Sequence, residues 1–416
     1  MSAYVKNLVQ TAHKASFLMA KLSTAAKNKA LKNMAQGLLN KKDLILRANQ
    51  LDIKAAKKNN LKASLIERLT LSDKRLREMS LSLRQVASLA DPIGRVIHKT
   101  TRPNGIKLEK VRVPIGVVLV VYEARPNVTS DCVSLLFKTS NVGILRGGSS
   151  AVHSNKAIGK VLQQALSGSG FDFPAFFVVD KPQRQIIDEL LKQDEYIDLV
   201  IPRGGESLIR KVVKSSTIPV IKHYKGVCHI YIDKEVDIEK ALKICVNAKA
   251  QRPSVCNAVE TILVHKTIAK KFLPRLKEVF EREGITIFAD NQSRVIIKDF
   301  KKASLGDWTR EYLDLRVTLG IVDSIDSAIY HINRYGSHHT ESILTKNQTQ
   351  AKKFVKEVDS ACCFVNISTR FSDGFQFGLG AEIGISTDKL HARGPMGLTE
   401  LTTYKWIGQG RGQIRK

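Results

Sequence analysis

From Gly116 onward, short apolar runs alternate with segments whose apolar residues recur at helical spacing. Strands are predicted over 117–122, 142–145, 176–179, 197–201 and 229–232, and helices over 130–139, 151–166, 184–192 and 206–214. Repeated strand-then-helix order is satisfied by a parallel, doubly wound sheet with crossover helices on both faces. Such a sheet presents ligand sites at the carboxyl ends of its strands. The alternation resumes after residue 237 with a helix over 237–249, a strand over 259–265 and a helix over 269–283. Further strands are predicted over 285–289, 317–322, 342–345 and 363–366, with helices over 327–335 and 351–358, so a second α/β domain follows the first.

The rest of the chain frames these two domains. Residues 1–90 read as packing helices, with no strand signal. Residues 93–115, broken by Gly94, Pro103, Gly105 and Pro114, enclose the alternating run LEKVRV at 108–113 and suit an arm or hairpin that pairs subunits. The glycine-rich tail at 368–397, with Phe371, Phe375, Phe377 and His391, is too long for an ordinary connection and is expected to line a site or cross between domains.

At 416 residues and 43% hydrophobic content, the chain is globular with two or three domains. Six cysteines without a Cys-x-x-Cys or paired histidines suggest neither a disulfide framework nor a metal site, and fit a reducing cytoplasm. The net charge of +28 raises nucleic-acid binding. However, the lysines are spread over every helix, aromatic content is 6%, and no nucleic-acid motif appears, so the charge reads as solvated faces or coding bias, with some steering of anionic ligands. No apolar run reaches the ~18 residues of a membrane span. The acid-free first 42 residues run straight into further helix and read as mature structure.

The stretch NAKAQRPSVCNAVET at 247–261 places Cys256 in a tight connection between a helix and a buried strand. A thiol on a loop held by scaffold can meet a ligand, and Arg252, Ser254 and Asn257 give it electropositive, hydrogen-bonding surroundings that favour thiolate. A buried packing cysteine is the plain alternative. Two strands end in the same pattern, VGILRGGSS at 142–150 and LVIPRGGES at 199–207. Glycines allow close backbone approach, a helix start offers free N–H groups and an arginine pairs with phosphate, which suggests a phosphorylated or dinucleotide ligand. Neither is the Gly-x-Gly-x-x-Gly fingerprint, and turn-and-cap motifs with surface arginines remain the alternative.

Further runs, YEARPNV at 122–128, IPRGG at 201–205, AIYHINRYGSHHTE at 328–341, FGLGAE at 377–382 and LHARGPMG at 390–397, complete a set dispersed in order over most of the chain. In these the sequence resembles the γ-glutamyl phosphate reductases, a branch of the aldehyde dehydrogenase superfamily. The resemblance implies two doubly wound α/β domains plus a small oligomerisation arm. Residues 1–226 would form a cofactor-binding domain with 100–115 as the arm, 227–366 a catalytic domain, and 367–416 site-lining loops and a C-terminal oligomerisation tail.

It implies NADPH-dependent reduction of L-glutamyl 5-phosphate to L-glutamate 5-semialdehyde in the cytoplasm, the second step of proline biosynthesis from glutamate, with no metal. Cys256 would form a thioester, and Asn127 with the backbone N–H of Cys256 would hold the oxyanion. The alternative for Asn127 is a cap on the following helix. Arg146 and Ser149 would pair a 2′-phosphate, Arg203, Gly204 and Gly205 would approach the pyrophosphate, and Glu311 would fix the nicotinamide ribose. Arg125 and Arg370 are candidates for the substrate carboxylate, while His339 and Glu341 suit a structural turn.

Hydrolysing relatives carry a glutamate base where this chain has KHYKG at 222–226. That run also departs from the small residues expected of the reductases, and His223 reads as a solvated surface histidine, with a base in place of the glutamate as the alternative. A homo-oligomer and a transient contact with the glutamate kinase are expected partners. The rival functions are an aldehyde-oxidising dehydrogenase and a basic nucleic-acid-binding or scaffold protein that has lost catalysis.

Overall fold

The computed structural model describes residues 1–123, 125–181 and 183–415, so Ala124 of the YEARPNV run lies outside the described residues. The chain divides into two compact units, one comprising 1–222, 378–384 and 396–416, the other 223–377 and 385–395. The division after Lys222 comes shortly before the boundary expected at 226.

The first unit opens with five helices, Ala3–Met19, Thr24–Asn40, Lys42–Lys58, Ala63–Leu69 and Asp73–Ser88. Ser2, Ser23 and Ser72 start three of them by accepting a backbone N–H from Val5, Ala26 and Arg75. Next comes a four-stranded parallel sheet in the order Phe176–Val178, Val142–Gly147, Val117–Tyr122, Leu199–Arg203. The run VVLVVY is buried along its whole length, as a strand covered on both faces must be. Register puts Tyr122 beside both Gly147 and Arg203, so the two Arg-Gly-Gly turns flank the same carboxyl end of the sheet.

The arm is a hairpin of Val96–Thr101 on Lys107–Pro114, widened by a strand absent from the sequence reading, Thr402–Gln409. That stretch alternates poorly because both its faces are largely exposed.

The second unit holds a seven-stranded parallel sheet ordered Lys301–Lys302, Thr286–Ala289, Arg316–Val322, Val259–His265, Cys228–Ile232, Thr340–Leu344, Cys362–Val365. The strand Cys228–Ile232 belongs here and does not extend the first sheet. On one face, Phe272, Leu273, Leu276 and Phe280 of helix Lys266–Arg282 pack with Ile262 and Leu319. On the other, Ile329 and Ile332 of helix Ile325–Tyr335 and Phe354 meet Tyr231 and Leu263. Burial of each such side chain is worth about 1.5–3 kcal/mol, which holds the strand ends as a rigid base for the loops that follow.

Candidate active site

In the second unit the cysteine loop and the segments that meet it precede their strands and so lie at amino ends, whereas the carboxyl-end expectation concerns the first sheet. Helix Ile238–Ala250, capped by Asp237, runs into the loop that carries Cys256 before strand Val259–His265 begins. Gly226 precedes strand Cys228–Ile232, Glu311 precedes Arg316–Val322, and Ser337 precedes Thr340–Leu344. These segments touch: the Gly226 N–H donates to Glu311 Oε1 at 3.0 Å and the Val227 N–H to Ser337 Oγ at 2.8 Å. The α-carbon of Gly226 lies so close to Cys256 that an added Cβ would stand 1.9 Å from the Cys256 carbonyl oxygen.

Cys256 is half-buried on this loop, while Cys132, Cys228, Cys245 and Cys362 are buried. Cys363 is also half-buried, but it lies in a strand and burial pushes its thiol up to about 11.

The electrostatics of the loop are set by two opposed sources. Helix Ile238–Ala250 points its carboxyl end towards the loop, and that end carries partial negative charge which disfavours a thiolate. Against it stands Arg370, whose Nε donates to Gln251 Oε1 at 2.7 Å and whose Nη1 bonds Asn257 Oδ1. The guanidinium therefore bridges the two sides of the cysteine loop. Burial lowers the Arg370 pKa and the nearby positive charge of Arg252 lowers it further, while the charge of Asp373 raises it. Asn257 returns Nδ2 to the Ser372 carbonyl at 2.8 Å, which ties the loop to the glycine-rich tail.

The neck of the loop is closed by an ion pair that the sequence did not reveal. Lys249 Nζ and Glu260 Oε2 are 2.6 Å apart and both side chains are fully buried, and Glu260 Oε1 also accepts the Leu313 N–H at 3.3 Å. Burial pushes Glu260 up to about 7 and Lys249 down, each opposed by its partner's charge. Removing one member leaves the other charge buried alone, so Lys249→Met is expected to cost about 3–5 kcal/mol in urea unfolding. Lys249→Met with Glu260→Leu should recover most of that loss.

In the first unit the two Arg-Gly-Gly turns are not equivalent. The space beside Gly147 is filled by Asn155 and Tyr122, and the start of helix Val152–Ser167 is already capped by buried Asp52, which accepts from His153 N at 3.2 Å and Ser154 N at 2.7 Å. The expected free N–H groups after Arg146 are therefore taken by a carboxylate. Arg146 is only 6% exposed, with its Nη1 bonded to the Gly147 carbonyl, and Ser149 opens the short turn before the helix.

Arg203, Gly204 and Gly205 lead into helix Glu206–Ser215, whose N-cap residue makes no side-chain capping bond. That start fits the phosphates of a dinucleotide. The side chain of Glu123 lies against Gly204, and its charge is repulsive to a phosphate unless it swings aside.

Asn127 opens helix Asn127–Lys138 without capping it, and its Nδ2 donates to Asp131 Oδ2 at 3.0 Å, leaving a second amide hydrogen for another acceptor. Burial pushes Asp131 up to about 6. Arg125 is exposed just before that helix. The two substrate-carboxylate candidates thus fall in different units. His223 is not a freely solvated histidine: its ring packs edge-on against His339, centroids 5.8 Å apart. Glu341 is fully buried and accepts from the His229 backbone at 2.6 Å, a structural role, but it lies in strand Thr340–Leu344 and not in a turn.

The aldehyde dehydrogenase family model matches residues 1–286. A γ-glutamyl phosphate reductase of Persephonella marina is 48% identical over 99% of this chain and 94% of its own, and one of Caldanaerobacter subterraneus is 50% identical over 97% and 98%. The chain belongs to the γ-glutamyl phosphate reductases of the aldehyde dehydrogenase family. The crystal structure of the γ-glutamyl phosphate reductase of Thermotoga maritima superposes with a TM-score of 0.96 at 43% identity, covering 99% of this chain and 100% of that one. An acetylating aldehyde dehydrogenase of Geobacillus thermoglucosidasius shares the fold at a TM-score of 0.70 and 16% identity, over 99% and 98% of the two chains. The aldehyde dehydrogenase fold inferred for this γ-glutamyl phosphate reductase family member is thereby established. Gly226, Cys228, Lys249 and Glu260 are the site residues that sequence reading missed, although Lys249 and Glu260 stand within the cysteine motif itself.

Proposed function

We propose that this protein reduces L-glutamyl 5-phosphate to L-glutamate 5-semialdehyde with NADPH and releases phosphate, as the second step of proline biosynthesis from glutamate. The observation that carries the reading is Cys256, half-buried on a loop bridged by Arg370, in a chain about half identical to γ-glutamyl phosphate reductases. The Cys256 thiolate attacks the acyl carbonyl, the carbon–oxygen bond to phosphate breaks, and phosphate departs, leaving a thioester. Arg252 counters the charge of thiolate and departing phosphate. Asn127 and the backbone N–H of Cys256 are assigned to the oxyanion. When bound, NADPH supplies the hydride that takes the thioester to the aldehyde level and returns the thiolate.

Arg203, Gly204 and Gly205 would hold the dinucleotide phosphates, Arg146 and Ser149 the 2′-phosphate, and Glu311 the nicotinamide ribose. Arg125 and Arg370 would bind the substrate carboxylate, with the donors of Arg370 that its two bonds leave over. The stretch 222–226 supplies no glutamate to activate water, which favours acyl transfer to phosphate over hydrolysis.

The arm sheet, with Tyr404 50% and Trp406 54% exposed, supports assembly of identical chains. Six free cysteines suit the cytoplasm, and no helix among the described residues is long and apolar enough to cross a membrane. The lability of an acyl phosphate favours a transient contact with the kinase that makes it.

The test is the reverse reaction, semialdehyde with NADP⁺. Sustained NADPH formation should require inorganic phosphate. Sustained formation of free glutamate in phosphate-free buffer would instead make the protein an aldehyde-oxidising dehydrogenase.

A further inference from the structure

We propose that Cys228 is a positioning residue for Cys256: its thiol donates to the carbonyl oxygen of Cys256 and, with Gly226, fixes the direction in which the Cys256 side chain leaves its loop. The inference rests on the reading of Cys256 as the nucleophile.

Cys228 Sγ lies 3.2 Å from the Cys256 carbonyl oxygen, at the first residue of the strand beside Val259–His265. It is fully buried, and burial pushes its thiol well above the ordinary range, reinforced by Glu341, Cys256, Glu260 and Glu311. Cys228 therefore stays a neutral S–H donor and cannot replace Cys256 as thiolate. Its other neighbour is His339, whose Nδ1 lies 3.6 Å from the sulfur and 2.9 Å from Thr340 Oγ1. The His-His-Thr-Glu run thus acquires a place, directly behind the thiol that holds the nucleophile's backbone.

The strand pairing slips at this point. Cys228 faces Val259 but His229 faces Thr261, so Glu260 is the extra residue of a bulge and Lys249 engages it. Irregularities of this kind redirect side chains next to active sites. Gly226, two residues earlier, closes on the same carbonyl, and the Cys228 N–H donates to the Gly226 oxygen at 3.1 Å. The Cys256 peptide is held from two sides by one short turn. Fixing that peptide plane fixes where the Cβ–Sγ bond points, and displacement of a reacting atom by about 1 Å can cost about a hundredfold in rate.

The test compares Cys228→Ala and Cys228→Ser in the full-length protein. An S–H bond is weak, so C228A is expected to lower kcat about tenfold with KM unchanged, and C228S, which keeps a donor, to recover part of it. The rate of Cys256 alkylation by iodoacetamide, read by peptide mass spectrometry without cofactor or substrate, should change in C228A and return towards the parent value in C228S. Should C228A fail to fold, Cys228→Val gives the same contrast without a donor. Equal kcat and equal alkylation in the donor-less and donor-bearing variants would overturn the proposal. The alkylation readout needs no turnover, so it stands even if the acyl phosphate reading fails.

Discussion

Cys256→Ala is expected to lower phosphate-dependent NADPH formation from the semialdehyde by at least about 10⁴-fold while the protein stays folded. No other described cysteine combines a loop position with partial exposure: four are buried and Cys363 lies in a strand with its thiol pushed up. The loss cannot therefore be made good from elsewhere. Because the side chain is only half-buried, its truncation should change the unfolding free energy by no more than a surface substitution does, about 0.5 kcal/mol. Cys256→Ser should be nearly as inactive, since a hydroxyl is barely ionised at neutral pH and an oxygen ester accepts hydride less readily than a thioester. Turnover above about one per cent in either variant would show that the thiol carries no covalent step.

Gly226→Ala carries the second large effect. The new methyl group would stand 1.9 Å from the Cys256 carbonyl oxygen, 2.5 Å from its carbon and 2.6 Å from its α-carbon, all backbone atoms that no side-chain rotation can move. The loop or the turn must shift by more than about 1 Å, and the Gly226 N–H bond to Glu311 resists the turn's share of that shift. A fall in kcat of about 10²–10³-fold is expected, with about 1–3 kcal/mol lost in urea unfolding from overpacking. Steady-state kinetics beside an unfolding curve separates the two. Parent-like kcat in a folded G226A protein would mean that the close approach does not set the nucleophile.

Local pattern was enough to place most elements within a few residues. The run VVLVVY, the strand Val259–His265 and the helix Ile238–Ala250 follow from apolar spacing, a short-range signal. What escaped was pairing over long separations. Asp52 caps a helix that begins a hundred residues later and takes the His153 and Ser154 N–H groups at its start, so any anion there must rest on the side chains of Arg146 and Ser149. The Lys249–Glu260 pair escaped because nothing local says that the two charges turn inward onto one another.

The same limit hid which segments meet the cysteine loop. These neighbours are set by strand order, and strand order in a parallel sheet is decided by contacts between segments far apart in sequence. Thr402–Gln409 was missed for the opposite reason, since an exposed strand is under little pressure to alternate.

The central claim, that Cys256 carries the glutamyl group, is tested most directly by trapping it. Enzyme incubated with semialdehyde and NADP⁺ in phosphate-free buffer, quenched in acid and digested, should show a glutamyl thioester on the peptide containing Cys256, formed with one NADPH per chain and discharged when phosphate is added. Full phosphate-dependent turnover with that peptide unmodified at every time point, or with the adduct on another residue, would contradict it.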